Sequence, residues 1–241
     1  HSLGLKFGIH IMRGISRQAV HQDTPILGTT ATARQIAHPN SICPWNTDMY
    51  GVDASKEGAQ EYYNSLFDLY AEWGVDFVKV DDIAASRLYG IHLAEIELIK
   101  RAIAQCGRPM VLSLSHGPAP LEHASDLIAN ANMWRMTDDR WTRFTKDEQL
   151  TMMTLWSIFR SPLMFGGELR DNDAWTLSLL TNKEVLDVHH NGVNARQVYR
   201  KDEHIVWTSH NEEGHVYAAL FNVGDEASTV RVSLQELGIE G

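Results

Sequence analysis

Residues 76–83, DFVKVDDI, decide the fold of this chain. Phe77 to Val80 favour an extended backbone and are apolar apart from one lysine, and the carboxylates Asp81 and Asp82 follow directly. In parallel α/β folds the reacting side chains gather at the carboxyl ends of buried strands. The segment therefore predicts a core strand that ends in a functional site.

The sequence on either side of this segment alternates between strand and helix patterns. Apolar residues recur at helical spacing in residues 55–74, with Ser55 as the predicted N-cap and Gly74 as the predicted stop, and Gly107 closes a second helix. Near-continuous apolar strands between amphipathic helices predict a parallel sheet covered by helices. The predicted strands are residues 5–11, 77–80, 110–114 and 133–137, and the predicted helices are residues 55–74, 92–106, 121–128 and 146–160.

Two regions depart from this alternation. Residues 13–52 are dense in Gly, Pro, Asn, Thr and Asp and predict a long irregular loop with a functional role. From residue 195 onward, short β-rich runs follow one another without helices, the last at residues 228–234. We therefore predict a (β/α) barrel portion over residues 1–192 and the start of an antiparallel β domain over residues 193–241.

Composition excludes several classes of function. The 241 residues are 44% hydrophobic, enough for one sizeable core, and carry a formal net charge of −10. That charge argues against nucleic acid and anionic membranes as partners, and no apolar run is long enough to span a bilayer. Cys43 and Cys106 are the only cysteines, which excludes a disulfide framework and a thiolate zinc site. No signal peptide is visible, and the compartment stays open.

Polar residues follow four predicted strands at the same end. Because carboxyl ends of parallel strands meet at one edge of a sheet, four such ends in register predict a site. The residues are His10 and Arg13 after the first strand, Lys79, Asp81 and Asp82 in the second, Ser113, Ser115 and His116 in the third, and Arg135, Asp138 and Asp139 after the fourth.

Carboxylates on two different strands are the groups that glycoside cleavage requires. One, held ionised, attacks the sugar carbon, and the other protonates the leaving oxygen and then activates water. Lys79 lies two residues from Asp81 on the same face of the strand, so its ammonium favours an ionised Asp81, and Arg135 has a similar relation to Asp139. Asp82 points to the opposite face and is expected to cap the loop after its strand.

At these residues the chain resembles glycoside hydrolase family 27, the α-galactosidase and α-N-acetylgalactosaminidase family. GLKFGIH, WGVDFVKVDD, GRPMVLSLS and MWRMTDD are similar, in order, to the third to sixth barrel strands of the family, and residues 147–170 and 179–189 to its last helices and eighth strand. The resemblance implies a (β/α)8 TIM barrel followed by an antiparallel β-sandwich, no cofactor or metal, and double displacement with retention of configuration.

The resemblance also implies roles for individual residues. On the K-x-D and W-R-x-x-x-D motifs, Asp81 is the nucleophile and Asp139 the acid/base, while Lys79 and Arg135 hold sugar hydroxyls. Cys43 lies at the pocket wall. His10, Ser115 and His116 are further candidates for substrate binding, and Trp45 either stacks on a sugar ring or anchors its loop.

The chain departs from the family pattern at four places. The first two strands of the family have no counterpart before residue 1, and only residues 140–146 stand where the seventh strand is expected. Ile83 replaces the cysteine that usually pairs with Cys43. The loop SLSHGP (residues 113–118) lacks the glutamate typical of α-galactosidases, and its Ser115 is similar to the serine of N-acetylgalactosaminidases. We therefore expect an incomplete barrel that is part of a larger protein and a poor enzyme by itself.

The leading hypothesis is a retaining α-glycosidase that acts on terminal α-galactosyl-type residues of an oligosaccharide or glycoconjugate, for which the resemblance favours a secreted or periplasmic location. Three alternatives stay open. They are a different α-glycosidase specificity such as α-N-acetylgalactosaminidase, an inactive carbohydrate-binding fragment, and a magnesium-dependent barrel enzyme that uses Asp81, Asp82 and Asp139 as ligands.

Overall fold

The computed structural model describes residues 2–86, 88–136, 144–165 and 169–239, without the side chain of Leu169. Its contacts divide the chain into two compact units, His1–Asp139 and Arg140–Gly241. Within the described residues, no helix has the length and apolar character that crossing a membrane requires. The domain boundary predicted after residue 192 stays a prediction.

The first unit contains seven strands and five helices among its described residues. In chain order they are β1 (Gly8–Met12), β2 (Ile15–Ser16), α1 (Arg17–Gln22), α2 (Ala33–Ile36), β3 (Ala37–Ile42), β4 (Met49–Val52), α3 (Ala59–Glu72), β5 (Phe77–Asp81), α4 (Leu93–Gln105), β6 (Val111–Leu114), α5 (Ala124–Asn130), which a 3-10 turn precedes at Leu121–His123, and β7 (Met133–Trp134).

The centre of this unit is a parallel sheet of four strands in the order β1-β5-β6-β7. The register sets Met12 beside Asp81 and sets Lys79 between His10 and Ser113. The carboxyl ends of the strands therefore meet at one edge, which confirms the parallel sheet predicted from the alternating pattern.

Helix α3 covers this sheet with an aromatic face, on which Tyr63 and Phe67 are 1% and 0% exposed. Gly74 ends the helix with a φ of 73°, as predicted. The predicted N-cap is wrong. Ser55 donates from its backbone N–H and its hydroxyl to Asp53 Oδ1, at 3.0 and 2.6 Å, and so forms a turn four residues before the helix begins at Ala59.

The prediction of an irregular loop over residues 13–52 is also wrong. This stretch forms helices α1 and α2 and an antiparallel sheet in the order β2-β4-β3. The sheet is hard to recognise in sequence because β2 has two residues and β3 carries a proline and a register shift against β4. The guanidinium of Arg17 lies 4.6 Å above the Tyr50 ring.

The second unit consists of helices α6 (Lys146–Ile158), α7 (Ala174–Leu180) and α8 (Lys183–Asn191) and of strands β8 (Val193–Lys201), β9 (His204–His210) and β10 (Val216–Asn222), with a 3-10 turn at Leu169–Asp171. The three strands form an antiparallel sheet in the order β10-β9-β8, and Phe221 and Ala219 of β10 pack with Ile158 of α6. An antiparallel β region after the last helix was predicted.

The strand predicted at residues 228–234 is wrong. The segment has the alternating pattern of a strand, but side chains of β8 hold it instead of a backbone ladder. The Tyr199 hydroxyl donates to the Arg231 carbonyl at 2.6 Å, and Arg196 Nη2 donates to the Glu236 carbonyl at 3.1 Å. Sequence periodicity does not report whether a neighbouring strand is present.

Candidate active site

Asp81 is the last residue of β5, and its side chain is 11% exposed. Three groups lie around its carboxylate. His10 Nε2 is 3.1 Å from Oδ2, His116 Nδ1 is 3.7 Å from Oδ1, and the backbone N–H of Asp82 donates to Oδ1 at 3.1 Å. His10 and the Asp82 N–H thus orient a carboxylate that is largely buried but keeps some exposed surface, as a nucleophile needs.

One exposed tryptophan contacts a neighbour of this carboxylate. Trp45, in the turn between β3 and β4, is half exposed, and its ring meets the His116 ring edge to face with centroids 5.3 Å apart. Because His116 also approaches Asp81, the indole lies two contacts from the Asp81 carboxylate. Exposed aromatic faces are suited to contact the apolar face of a sugar ring.

Two of the predicted contacts are more buried than a direct substrate contact requires. Ser115 is fully buried, its N–H donates to the Val80 carbonyl at 2.9 Å, and its own carbonyl accepts from Ile83 at 3.0 Å. Cys43 is 2% exposed and is a free cysteine. Burial raises the pKa of the Cys43 thiol, against backbone hydrogen bonds from Trp45 and Asn46 that lower it.

The backbone positions of Lys79 and Arg135 are defined by strand pairing and hydrogen bonds, and their roles in sugar binding stay a prediction. Lys79 lies on β5 two residues before Asp81, paired in register with His10. The Arg135 N–H donates to the Leu114 carbonyl at 3.3 Å, and its carbonyl accepts from Ala119, which fixes the chain beyond β6. Asp139, the predicted acid/base, and its neighbour Asp138 lie outside the described residues, so the separation of the two carboxylates stays a prediction.

Asp82 does not cap its loop, contrary to the sequence-based expectation. Its side chain is 0% exposed, and Oδ2 lies 3.1 Å from Arg13 Nη2. This distance is that of an ion pair, yet neither carboxylate oxygen has a hydrogen bond of good geometry among the described residues. Burial raises the pKa of Asp82, and the adjacent Arg13 opposes that shift. The backbone of Asp82 is left-handed, with a φ of 57°.

Arg13 is the centre of a buried charge cluster that sequence reasoning missed. Its side chain is 2% exposed, and Nη1 donates to Glu95 Oε1 at 3.0 Å. The Tyr63 hydroxyl donates to Glu95 Oε2 at 2.7 Å. Burial raises the pKa of Glu95, and Arg13 opposes the shift; burial also raises the pKa of Tyr63 well above its usual value. A signal existed, because Glu95 lies at helical spacing from Ile99 and Ala102, on the apolar face of α4.

His92 lies beneath the same end of the sheet. Its N–H donates to the Ile83 carbonyl at 3.0 Å, and burial lowers the pKa of its ring to about 3, with Arg13 adding to the shift. The ring is therefore neutral at physiological pH. Among the residues that the structure describes, no group of three His, Cys, Asp or Glu side chains is arranged to hold a metal ion.

Comparison with solved structures places this geometry in a known family. A family 27 β-L-arabinopyranosidase of Geobacillus stearothermophilus, solved in complex with arabinose, is 60% identical with a TM-score of 0.90, over 99% of this chain and 67% of that one. Another structure of the same enzyme gives 61% identity over 99% of this chain and 66% of that one, with a TM-score of 0.90. This chain belongs to glycoside hydrolase family 27.

Membership in family 27 confirms the fold class predicted from the sequence, a (β/α)8 barrel followed by an antiparallel β domain. The α-galactosidase I of Mortierella vinacea, at 17% identity and a TM-score of 0.64, shares this fold. A candidate α-N-acetylgalactosaminidase of Bacillus halodurans is 52% identical, with a TM-score of 0.81, over 99% of this chain and 66% of that one. A scan against family models found no match.

The chain spans about half the length of the curated family 27 relatives that it matches. α-Galactosidase 2 of Arabidopsis thaliana is 24% identical over 70% of this chain and 52% of its own length. α-Galactosidase A of Cellvibrio japonicus is 26% identical over 77% of this chain and 56% of its own length.

Proposed function

We propose that this chain carries the nucleophile side of a retaining glycosidase for terminal sugars of galactose configuration. The observation that supports this most directly is the Asp81 carboxylate, which ends a buried strand, keeps 11% of its side chain exposed, contacts His10 and the Asp82 N–H, and has His116 nearby. A carboxylate so placed is equipped to attack an anomeric carbon.

The proposed reaction has two steps. In the first, an Asp81 oxygen bonds to the anomeric carbon while the glycosidic C–O bond breaks, and Asp139 gives its proton to the leaving oxygen. In the second, Asp139 takes a proton from water, the resulting hydroxide bonds to the anomeric carbon, and Asp81 leaves. Lys79 and Arg135 bind sugar hydroxyls, and Trp45 contacts an apolar face of the substrate.

The relatives narrow the class of sugar. Their names include α-galactosidases, a β-L-arabinopyranosidase and a candidate α-N-acetylgalactosaminidase. An α-D-galactopyranoside and a β-L-arabinopyranoside have the same ring configuration and differ only in the exocyclic CH2OH group. The two solved relatives of highest identity here are the arabinopyranosidase structures, so we propose that the site accepts a β-L-arabinopyranoside as well as an α-galactoside, with the N-acetylated sugar as the specificity alternative.

The test is hydrolysis of three nitrophenyl glycosides, the α-galactoside, the β-L-arabinopyranoside and the α-N-acetylgalactosaminide, by the 241-residue chain. Asp81→Asn is expected to lower turnover at least about a thousandfold. Asp81→Gly with added azide provides a second measurement. Azide then occupies the space of the missing carboxylate and yields a glycosyl azide of inverted configuration, which identifies the nucleophile by its product.

The matched control is Asp76→Asn, which alters a carboxylate at the opposite end of the same strand. Turnover that survives Asp76→Asn and is lost in Asp81→Asn supports the proposal. If Asp81→Asn keeps wild-type turnover, Asp81 is not the nucleophile. If the folded chain binds these sugars without hydrolysing them, the carbohydrate-binding alternative is correct for the isolated chain, and loss of an observed activity in EDTA would instead favour the magnesium-dependent alternative.

A further inference from the structure

We propose that Arg13 is a positioning residue for the nucleophile and acts through the backbone of Asp82. The inference rests on the proposed function, since it assigns to Arg13 a role in presenting Asp81. It starts from the conformation of Asp82, whose φ of 57° lies in the left-handed region that non-glycine residues rarely adopt.

The peptide between Asp81 and Asp82 contacts the proposed nucleophile directly. Its N–H donates to Oδ1 of Asp81, at 3.1 Å, and the left-handed φ of Asp82 then directs the next carbonyl, which accepts from Arg13. One nucleophile oxygen is thereby occupied by a backbone donor. The other, Oδ2, lies 3.1 Å from His10 Nε2. The backbone of Asp82 thus sets the rotation of the carboxylate that must face the anomeric carbon.

Arg13 donates two hydrogen bonds to this backbone. Its own N–H donates to the Asp81 carbonyl at 3.1 Å, and its Nε donates to the Asp82 carbonyl at 2.7 Å. Two successive carbonyls are therefore fixed by one residue at the end of the neighbouring strand. The contact to the Asp82 carbonyl is shorter and better aligned than the contact to the Asp82 carboxylate, whose oxygens have no hydrogen bond of good geometry among the described residues.

The guanidinium is itself held in place by groups that do not touch the nucleophile. Glu95 accepts from Nη1 at 3.0 Å, and the Tyr63 hydroxyl donates to Glu95 at 2.7 Å. The N–H of Gly14, next to Arg13 in sequence, donates back to the Tyr63 hydroxyl at 3.2 Å. This closed ring of contacts limits the rotation of Arg13, so helix α4 and helix α3 together fix a residue that orients Asp81.

The experiment compares Asp82→Asn with Asp82→Ala and Arg13→Gln. Asn and Ala both remove the buried charge, but Asn adopts the left-handed conformation far more readily than Ala. If Arg13 acts through the backbone, Asp82→Ala and Arg13→Gln each lower kcat by roughly a hundredfold with little change in KM, as expected for a misplaced reacting group. Asp82→Asn then exceeds Asp82→Ala in kcat by at least roughly tenfold.

A readout that does not depend on turnover accompanies the kinetics. Hydrogen exchange at the residue 82 amide is expected to be at least roughly tenfold faster in Arg13→Gln than in the wild type, because the N–H loses its partner on Asp81. Asp76→Asn is the folding control with unchanged kcat. If the wild type hydrolyses none of the glycosides, the proposed function fails while exchange at residue 82 still tests the positioning.

Two results would overturn the inference. If Asp82→Asn is as impaired as Asp82→Ala, the buried charge matters and the backbone conformation does not. If Arg13→Gln retains wild-type exchange at residue 82, Arg13 does not hold that peptide. Should Arg13→Gln fail to fold, the ratio between the two Asp82 variants decides the question.

Discussion

Strand β5 has a carboxylate near each end, and the two are equally exposed but differently partnered. Asp76, just before the strand, and Asp81, its last residue, are each 11% exposed. Asp76 accepts from Arg108 Nη2 at 2.7 Å and from the Phe7 N–H at 2.9 Å. Those bonds lower the pKa of Asp76, with the Phe7 N–H as the main cause. Asp81 instead has two imidazoles and one backbone N–H as its neighbours.

The surroundings of the two ends differ in the same way. At the amino-terminal end Arg108 also donates to the carbonyls of Val75 and Gly74, at 2.9 and 3.1 Å. At the carboxyl-terminal end, several buried side-chain atoms have no hydrogen-bond partner among the described residues; they belong to Asp82, Ser86, His92, Ser115 and His116. Unpartnered buried polar groups are destabilising. We therefore infer that the Asp76 end of β5 stabilises the fold, whereas the groups at the Asp81 end are arranged for the proposed chemistry and lower the stability of the fold.

The largest effect is expected at Asp81. Asp81→Ala should lower kcat at least about a thousandfold, because no other group replaces the proposed nucleophile. Its melting temperature should stay close to that of the wild type, since the variant removes a carboxylate whose neighbours are imidazoles and one N–H. Steady-state kinetics and thermal unfolding of the same sample measure both quantities. A large loss of stability with retained turnover would reverse the comparison between the two ends.

The next effect concerns His92 and the pH dependence of stability. Its folded pKa, about 3, lies below the ordinary value of 6.5, so the unfolded state binds a proton that the native state does not. The native state therefore loses stability as pH falls from 6.5 toward 3. Relative to His92→Gln, the wild type should lose about 1.4 kcal/mol per pH unit, which is about 2 kcal/mol at pH 5.

Urea unfolding of both proteins between pH 5 and 7 measures this difference. The comparison with the variant is needed because burial raises the pKa of Asp82 and Glu95, and their contributions change with the opposite sign, becoming more favourable as pH falls. Parallel curves for wild type and His92→Gln would show that His92 protonates in the native state.

A smaller effect is expected at His10, whose ring is 3.1 Å from Asp81 Oδ2. His10→Phe removes this neighbour and should lower kcat/KM by roughly tenfold, while His10→Gln, which retains a donor, should lose less. Because the His10 side chain is 53% exposed, stability should be little affected. Equal kinetics for Phe and Gln would mean that the contact to Asp81 does not contribute to turnover.

The smallest effect is expected at Asp76. Asp76→Asn keeps an acceptor for Phe7 but removes the charge that pairs with Arg108, so the melting temperature should fall by a few degrees at neutral pH, and kcat should not change. Because the folded pKa of Asp76 is lowered, its contribution is lost as pH falls through that pKa. The melting temperatures of wild type and variant should therefore converge in acid, and a constant difference at all pH values would contradict the role given to its charge.

The sequence predicted the sheet and the strand that ends in Asp81 because both depend on patterns that are local. The apolar run before Asp81 and the glycine stop at Gly74 are visible in a few residues, and the structure has the strand and the helix end there. The antiparallel sheet within residues 13–52 was missed because its pairing joins strands of two to six residues across a turn. Such pairing is set by tertiary contacts and not by intrinsic preference.

The sequence predicted the residues around Asp81 but not the buried charge cluster next to them. His10, Asp81 and His116 come together as the shared strand ends suggested. The cluster of Arg13, Asp82 and Glu95 was not foreseen, because its residues are separated by 69 and 82 positions and its one local signal was a glutamate on the apolar face of α4. The acid/base prediction at Asp139 stays untested.

Gly51 limits how this site could be redesigned. It lies on β4, where an added Cβ would come within 2.7 Å of Arg13 Nη1 and 2.7 Å of Ser41 Oγ. The hairpin that carries Trp45 therefore rests directly on the guanidinium that contacts Asp82. Exchange of that hairpin for a foreign loop would have to preserve Gly51 and Arg13 together. A substitution at either residue would therefore disturb the other.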